Sequence, residues 1–571
     1  TQEVLAGVKF AFYNVDNGEV PATNSKGEIV GTKETIDGKE YYTVTTDEKG
    51  EITADLPEGL YKAVEVQANN EKYDISEATY YFGIGGSREG KRKVEVEMAT
   101  SFGGSSDDYI NSVVATSDGG YIAGGYFKSS TIQVGSYTLT NNSRSTSYSD
   151  GMVIKYDESG KVEWARSIGE NGDEQIKSVI ETSDGGYIAG GYFDSSSIQI
   201  GEDRFATNGG QDGIIIKYDE SGEVEWARRI GGSSTDYIYS VTESSDRGII
   251  VAGTFQSSSI KVGDYILNVN VFYDGMIIKY SESGEVEWAR SIGDTGYDHI
   301  YSVAATKDGG AIAVGNFGSN NIKVGEYTFN KSGTTDGIVI KYDKLGEVEW
   351  ARSIGGSSDA TTINSVALTN DGAYIVGGTF SSRSIQVGDY TLTNNSSSTS
   401  DNDGMIIKYD KLGEVEWAKN VGGSDDDYIE SVASTSDGGI TAVGSFKSRE
   451  IQVGEYTLTN NSSSTIYSDG MIIKYDESGE VEWARSIGGN TDEKIESATE
   501  TKDGDIIAVG TFESSKITLR DYTLQNNGEI DGMVLKYSEE EAISIETKKF
   551  ITLGESDNDY IKSVINTSDG G

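Results

Sequence analysis

Between Val8 and Ala99 apolar and polar residues alternate in short runs: Val8–Phe12, Tyr41–Val44, Glu51–Ala54, Leu60–Val66, Thr79–Ile84 and Lys93–Ala99. Turn-rich clusters such as Asp47–Gly50 and Gly85–Lys91 separate them. Period-two runs broken by turns predict an antiparallel β-sandwich over residues 1–92. The pattern then changes scale. Each stretch of about 62–67 residues holds four strand candidates, in the first copy Ser112–Thr116 (A), Tyr121–Phe127 (B), Gly151–Tyr156 (C) and Lys161–Ile168 (D). Strand B, as in Ala311–Phe317, is almost continuous in apolar residues and glycine, as expected of a strand covered on both faces. A ends in a "TSDGG" turn and C meets D at "DESG", where glycine supplies the positive φ of a tight hairpin. Four strands per unit predict a β-propeller blade, and residues 93–571 a propeller.

The repeat is most complete from Asp469 to Gly489, "DGMIIKYDESGEVEWARSIGG". Its tryptophans, Trp164, Trp226, Trp288, Trp350, Trp417 and Trp483, each lie 14 residues after the aspartate of "DG". A phenylalanine recurs at the end of B, from Phe127 to Phe512. Residues present in every unit are expected to pack one blade on the next, in preference to stacking a sugar or cofactor. Nearly all length variation falls between B and C, where the gap from phenylalanine to "DG" is 19 or 23 residues. That connection opens with a "SSSIQVGDYTL" element, which predicts a short extra hairpin. The longer copies end in polar stretches headed by paired asparagines, Asn141–Asn142, Asn394–Asn395 and Asn460–Asn461. In a propeller the B–C and D–A connections share one face. Variable loops on a rigid scaffold make that face, and those six asparagines, the expected binding surface.

Strands B and C occur seven times, but a D-like strand also precedes the first unit. "EVEMATSFGG" at Glu95–Gly104 aligns with "EVEWARSIGG" at Glu480–Gly489, and an A-like strand at Ser563–Val564 follows the last unit. A composite eighth blade beyond seven complete ones is therefore expected, with the chain running on past its final "TSDGG". The rival arrangement is seven blades. Joining the two ends of the chain in one blade removes open sheet edges.

Two stretches carry family resemblances. "GVKFAFYN" (Gly7–Asn14) and "TTDEKGEITADLPEGLYKAVE" (Thr45–Glu65) resemble the Cna B-type, SpaA-like domain of Gram-positive surface proteins. The resemblance implies an Ig/prealbumin-like sandwich acting as a stalk module. It also implies an isopeptide bond from Lys9, promoted by a buried Glu65, because a desolvated lysine becomes a nucleophile. The third partner is missing, since "KVEVEMAT" (Lys93–Thr100) holds no Asn or Asp. Lys9 is then expected to pair with a nearby acid, Glu65 among the candidates, or to extend to solvent. "DGMVIKYDESGKVEWARSIG" and "SVVATSDGGYIAGGYF" resemble bacterial propeller repeats of the SBBP type, which implies an extracellular setting and no particular activity.

Composition narrows the function. The formal net charge of −46 argues against a nucleic-acid partner. No apolar run approaches the length of a membrane-spanning helix, so no membrane insertion is expected of this segment. The chain opens without a basic-then-apolar leader, as a processed or internal segment would. Cysteine is absent, which excludes disulfides and thiolate metal sites. The acidic D–A loops, including Asp107, Asp108, Asp425, Asp426 and Asp427, offer hard oxygens suited to Ca²⁺, though without a spaced D-x-D-x-D-G run; the competing reading is strand-capping turns. The single histidine, His299, cannot serve a recurring triad and is expected on a surface or turn. We therefore expect a non-enzymatic, secreted or cell-surface bacterial protein whose propeller serves adhesion, extracellular assembly or ligand binding. Its partner would be an extracellular protein, a glycan or another copy of itself. The alternative is a carbohydrate-binding or carbohydrate-active propeller with its site at the channel mouth.

Overall fold

The computed structural model describes residues 9–14, 20–24, 26, 28–36, 39–45, 59–67, 79–84, 93–143, 145, 147–357, 359–396, 398, 401–462, 464 and 466–540. The chain divides into two units, Thr1–Lys93 with Glu540–Gly571, and Val94–Glu539.

In the first unit six strands share one sheet. Their order is Thr32–Ile36, Lys39–Thr45, Lys9–Asn14, Gly59–Gln67 and Thr79–Ile84, with Val20–Pro21 paired to Lys9–Asn14. Lys9–Asn14 is central because its alternating Phe10 and Phe12 carry the apolar face. Phe12, Ala22, Tyr61 and Ala63 form a small core, covered by Phe10, Val30 and Val44. The predicted run Glu51–Ala54 lies outside the described residues. The predicted run Lys93–Ala99 is a strand, Lys93–Phe102, but of the other unit.

The second unit is all β, with seven four-stranded antiparallel sheets in the order A-B-C-D. In the first blade these are Asp108–Ala115, Tyr121–Phe127, Asp150–Tyr156 and Val162–Ile168. The extra hairpin forms in every blade, first as Thr131–Val134 with Tyr137–Thr140. Strands B and C are almost wholly buried because a neighbouring blade covers each face of the sheet. Phe127, Phe193 and their five counterparts are at 0 % exposure. Each is worth about 1.5–3 kcal/mol of burial, so every blade interface is a small core of its own.

The tryptophan and arginine of the repeat face the next blade. Trp164 lies against Gly222, in the C–D turn one blade on. A Cβ at Gly222 would meet the indole at 2.7 Å, and φ there is +77°. Arg166 stacks over Trp164 at 5.5 Å and donates Nε to the Gly222 carbonyl at 3.0 Å. The same relation joins Trp288 to Gly346, Trp350 to Gly413 and Trp417 to Gly479. The repeat's lysine, cross-strand partner of the tryptophan, holds the same end of each blade. Lys155 is 1 % exposed, yet its Nζ meets Asp118 at 2.8 Å and Glu163 at 3.1 Å, tying the A–B turn to strand D.

Strand A begins earlier than its pattern predicts, because it carries a one-residue β-bulge in every blade. In the first the register shifts between Ile110 and Ser112, so period two fails there. Strand A is also the innermost strand and would present an unpaired edge. The serine after the bulge solves this. Ser112 Oγ accepts the backbone N–H of Val179 at 3.1 Å, and Ser178, Ser240, Ser302 and Ser365 cap the next blade in the same way.

Among the described residues the ring has seven blades, so the expected eighth position is corrected. Strand D of the last blade is Lys93–Phe102, added beside Asp531–Glu540. Met98 occupies the tryptophan position and lies against Gly160 of the first blade's C–D turn, where a Cβ would meet its sulfur. Gly103 sits against Asp531 as Gly169 sits against Asp150 within the first blade. Ser497 caps the Val113 N–H at 3.3 Å, so last and first blades are direct neighbours. The A-like copy at Ser563–Val564 falls in 541–571, outside the described residues.

Candidate functional site at the inner rim

Two of the acids proposed for Ca²⁺, Asp108 and Asp427, brace the turns at strand ends, and the other three pair with polar or cationic neighbours. Asp108 is buried and accepts from Gly104 N at 2.7 Å, Ser129 N at 3.1 Å and Ser129 Oγ at 2.7 Å. Asp427 makes the corresponding bonds to Gly423 and Ser448. Asp107 pairs with Lys128, and Asp426 accepts from Asn402 and Lys447. Asp425 accepts from Ser424. These carboxylates serve separate partners, and no group of three or more candidate metal ligands forms among the described residues.

Of the asparagines expected on a binding face, Asn141, Asn394 and Asn460 turn inward, whereas Asn142, Asn395 and Asn461 stay exposed while bonded to the loop base. Asn141 donates to the Phe127 and Tyr148 carbonyls, and its neighbour Asn142 to Asp150 Oδ2 at 3.0 Å. Asn394 and Asn460 repeat the first role. Asn395 gives its backbone N–H to Asp403, and Asn461 gives both its N–H and its side chain to Asp469. The first of each pair ties the longer B–C loop to strand B and the second ties it to strand C. In the first unit Lys9 pairs with Glu34 at 2.7 Å. Glu65 is in backbone register with Phe10 on the neighbouring strand, and its side chain lies outside the described residues.

Buried carboxyls also meet across the blade seams. Burial pushes Asp150 of the first blade up to about 6, against hydrogen bonds from Asn142. Burial pushes Glu174 of the second blade up to about 7, with the charge of Asp150 adding to it. Asp403 with Asp427, and Asp469 with Glu493, repeat the arrangement. These groups recur around the ring and are structural.

One place does not repeat. The bulged residues of strand A are Asn111, Lys177, Tyr239, Tyr301, Asn364, Glu430 and Glu496. Two positions earlier stand Tyr109, Gln175, Tyr237, His299, Thr362, Tyr428 and Lys494. Both sets flank the constant isoleucine, Ile110 and its counterparts, which is buried in the blade. They are placed near the D–A end of the innermost strands, around the propeller axis, and they reach their neighbours there. Asn111 donates to the Ile176 carbonyl at 2.7 Å, and Asn364 to that of Ile429 at 2.9 Å.

The rim has two characters. Across the second to fourth blades it is aromatic. Tyr192 meets Tyr237 at 4.8 Å, Tyr237 meets Tyr239 at 5.8 Å, and Tyr239 meets Tyr301 at 5.5 Å. His299 stacks on Tyr301 at 5.5 Å and touches Tyr273 at 5.7 Å. His299 thus lies in this cluster and not in a turn. Burial pushes its imidazole below the ordinary value, with Asp298 opposing. On the other side the last two blades are ionic: Lys494 pairs with Glu430 at 3.0 Å and with Glu496 at 3.2 Å. Burial works to lower Lys494, but the two glutamates outweigh it and hold it above the usual lysine value. Lys177 lies between these regions, over Tyr126 at 5.1 Å and Tyr192 at 5.9 Å. The signal in the sequence is variation inside the constant part of the repeat: "YINS", "QIKS", "YIYS", "HIYS", "TINS", "YIES" and "KIES".

Residues 1–100 match the family described as SpaA, prealbumin-like fold domain. The chain is 21 % identical over 462 residues to an uncharacterized WD repeat-containing protein, L264, of Acanthamoeba polyphaga mimivirus, covering 66 % of this chain and 33 % of that one. It is 30 % identical over 116 residues to the regulatory protein FlaEY of Caulobacter vibrioides, covering 20 % of this chain and 12 % of that one. The chain therefore spans a third or less of these relatives. The solved structure of Sqt1 from Chaetomium thermophilum aligns with a TM-score of 0.39 and 11 % identity, covering 78 % of this chain and 99 % of that one. The chain is a repeat β-propeller protein with a prealbumin-like module before the propeller.

Proposed function

We propose that this is a non-enzymatic, secreted or cell-surface bacterial protein. In this reading the prealbumin-like module is a stalk and the propeller a scaffold that holds an extracellular ligand at its inner rim. The surface setting is supported by the SpaA-like module, a type found in bacterial surface proteins. The binding role rests on one observation. Positions that build the blades repeat around the ring, whereas the residues flanking the strand-A isoleucine differ from blade to blade. A packing position must suit the same neighbours seven times; a ligand position need not. Aromatic rings beside a small number of polar and charged groups are also the usual lining of a ligand site.

The test is a binding screen of the full chain against immobilised glycans and extracellular-matrix proteins. It is run beside a rim variant carrying Tyr239→Ser and Tyr301→Ser whose melting is checked first. We expect a discrete set of partners for the natural sequence and their loss in the variant. Retention of the same partners by the folded variant would overturn the rim as the site.

A further inference from the structure

We infer that the inner rim is built to hold a neutral saccharide; this rests on the rim being the ligand site. Three observations converge. The aromatic cluster continues outward to solvent. Tyr273 lies 5.9 Å from Tyr297, which stacks on Phe272 at 4.7 Å, and Tyr297 and Phe272 are 51 % and 41 % exposed. These rings offer apolar faces running from solvent to the inner strands. Both come from segments peculiar to their blades, "NVNVFYD" and "DTGYDHI".

Beside them two buried acceptors are unused. Asn316 is cross-strand partner to His299 and only 8 % exposed. Its Nδ2 donates to Thr362 Oγ1 at 3.1 Å, but Asn316 Oδ1 and His299 Nδ1 have no hydrogen-bond partner among the described residues. A buried polar atom without a partner is costly, and a hydroxyl donor would relieve it. The neutral imidazole favoured by burial can accept such a hydroxyl.

At the strand-A positions of the rim the charges balance, two lysines to two glutamates. Lys177 and Lys494 stand against Glu430 and Glu496, with Lys494 bridged to both glutamates. The rim therefore recruits no net charge from its ligand. A pyranose has what these groups call for together: C–H faces for the rings, hydroxyls for the acceptors and no charge.

The full chain is titrated by calorimetry with neutral cello-, malto-, xylo- and chito-oligosaccharides. Sialyllactose, oligogalacturonate and a random peptide pool serve as the competing classes. At least one neutral oligosaccharide should bind. Tyr301→Ala should weaken it at least about tenfold, Asn316→Ala by about tenfold, and Tyr301→Phe by no more than about twofold. Absence of binding to every neutral member, or binding indifferent to both alanine variants, overturns the inference; Asn316→Ala decides if Tyr301→Ala fails to fold. An acidic saccharide or peptide that binds and is lost on Tyr301→Ala also overturns it, while leaving the rim as the ligand site. Binding of any class indifferent to all rim variants removes both readings.

Discussion

Val113 gives its backbone N–H to the hydroxyl of Ser497 at 3.3 Å, although 384 residues separate them in the chain. The bond spans the seam where the ring closes, and Ala115 adds a second to Thr499 at 3.2 Å. Neither position could be reached if the last blade lacked its place beside the first. That place depends on Lys93–Phe102, the only strand of its blade that comes from the N-terminal side.

A chain beginning at Gly104 should therefore be impaired in a specific way. It loses the buried Val94 and Phe102, and it exposes the Asp531–Glu540 edge to other molecules. We expect a lower melting midpoint and concentration-dependent self-association on size exclusion. A chain beginning at Val94 should show neither change. Equal behaviour of the two would remove the closing strand from the account.

Two glycines separate backbone strain from packing. Gly185 and Gly222 have φ of +86° and +77°, so alanine at either is strained by about 1–2 kcal/mol. A Cβ at Gly185 meets nothing within 4 Å, whereas at Gly222 it runs into Trp164. Gly222→Ala should cost about 1–3 kcal/mol more than Gly185→Ala in urea unfolding. Equal costs would mean that the indole does not rest on the turn.

Stability should peak in mild acid. Asp150, Asp403 and Asp469 are raised to about 6, and Glu174, Asp427 and Glu493 to about 7, by burial. A raised carboxyl favours the folded state below its unfolded value, and this gain is lost as pH rises through its folded value. Asp184, Asp246 and Asp437 behave oppositely. Burial alone would raise them, but Lys217, Lys279, and Thr435 with Lys474, hold them at about 2. Their contribution is present above the unfolded value and falls away as pH drops towards about 2. Melting temperature should climb from pH 8 to about pH 5 and decline below about pH 4. A monotonic rise with pH would exclude the seam carboxyls as its source.

The first unit should carry no internal cross-link through Lys9. Its amine is committed to Glu34, which also accepts from Thr43 at 3.0 Å. Intact mass should equal that of the unmodified sequence. Loss of one ammonia or one water, abolished by Lys9→Ala, would show a bond that the ion pair argues against.

The C–D hairpin was legible because each of its side chains has a partner that also recurs. Trp164 needs the turn glycine of the next blade, Arg166 its carbonyl, and Lys155 two acids of its own. A role repeated seven times leaves a periodic trace. Strand A was less legible because the bulge interrupts alternation between Ile110 and Ser112, hiding the strand's first half. Length variation pointed to Asn141, Asn394 and Asn460, yet these side chains donate to the carbonyls of Phe127, Phe380 and Phe446, a bond that Asn526 also makes to Phe512 in a shorter connection. Counting strands could not settle the eighth position, since "EVEMATSFGG" reads the same whether it opens a new blade or completes the last. Met98 against Gly160 decides it.

The bulge has a consequence beyond the bend it imposes. Its extra residue stands opposite no partner in the ladder, so exchanging it disturbs neither the register nor the cores on either side. The ring thus carries seven addresses that can be rewritten one at a time. Shuffling, duplicating or exchanging blades would permute those addresses around the axis and leave the frame unchanged. One architecture could in this way present many different rims, each spelled by seven letters set in an otherwise monotonous text.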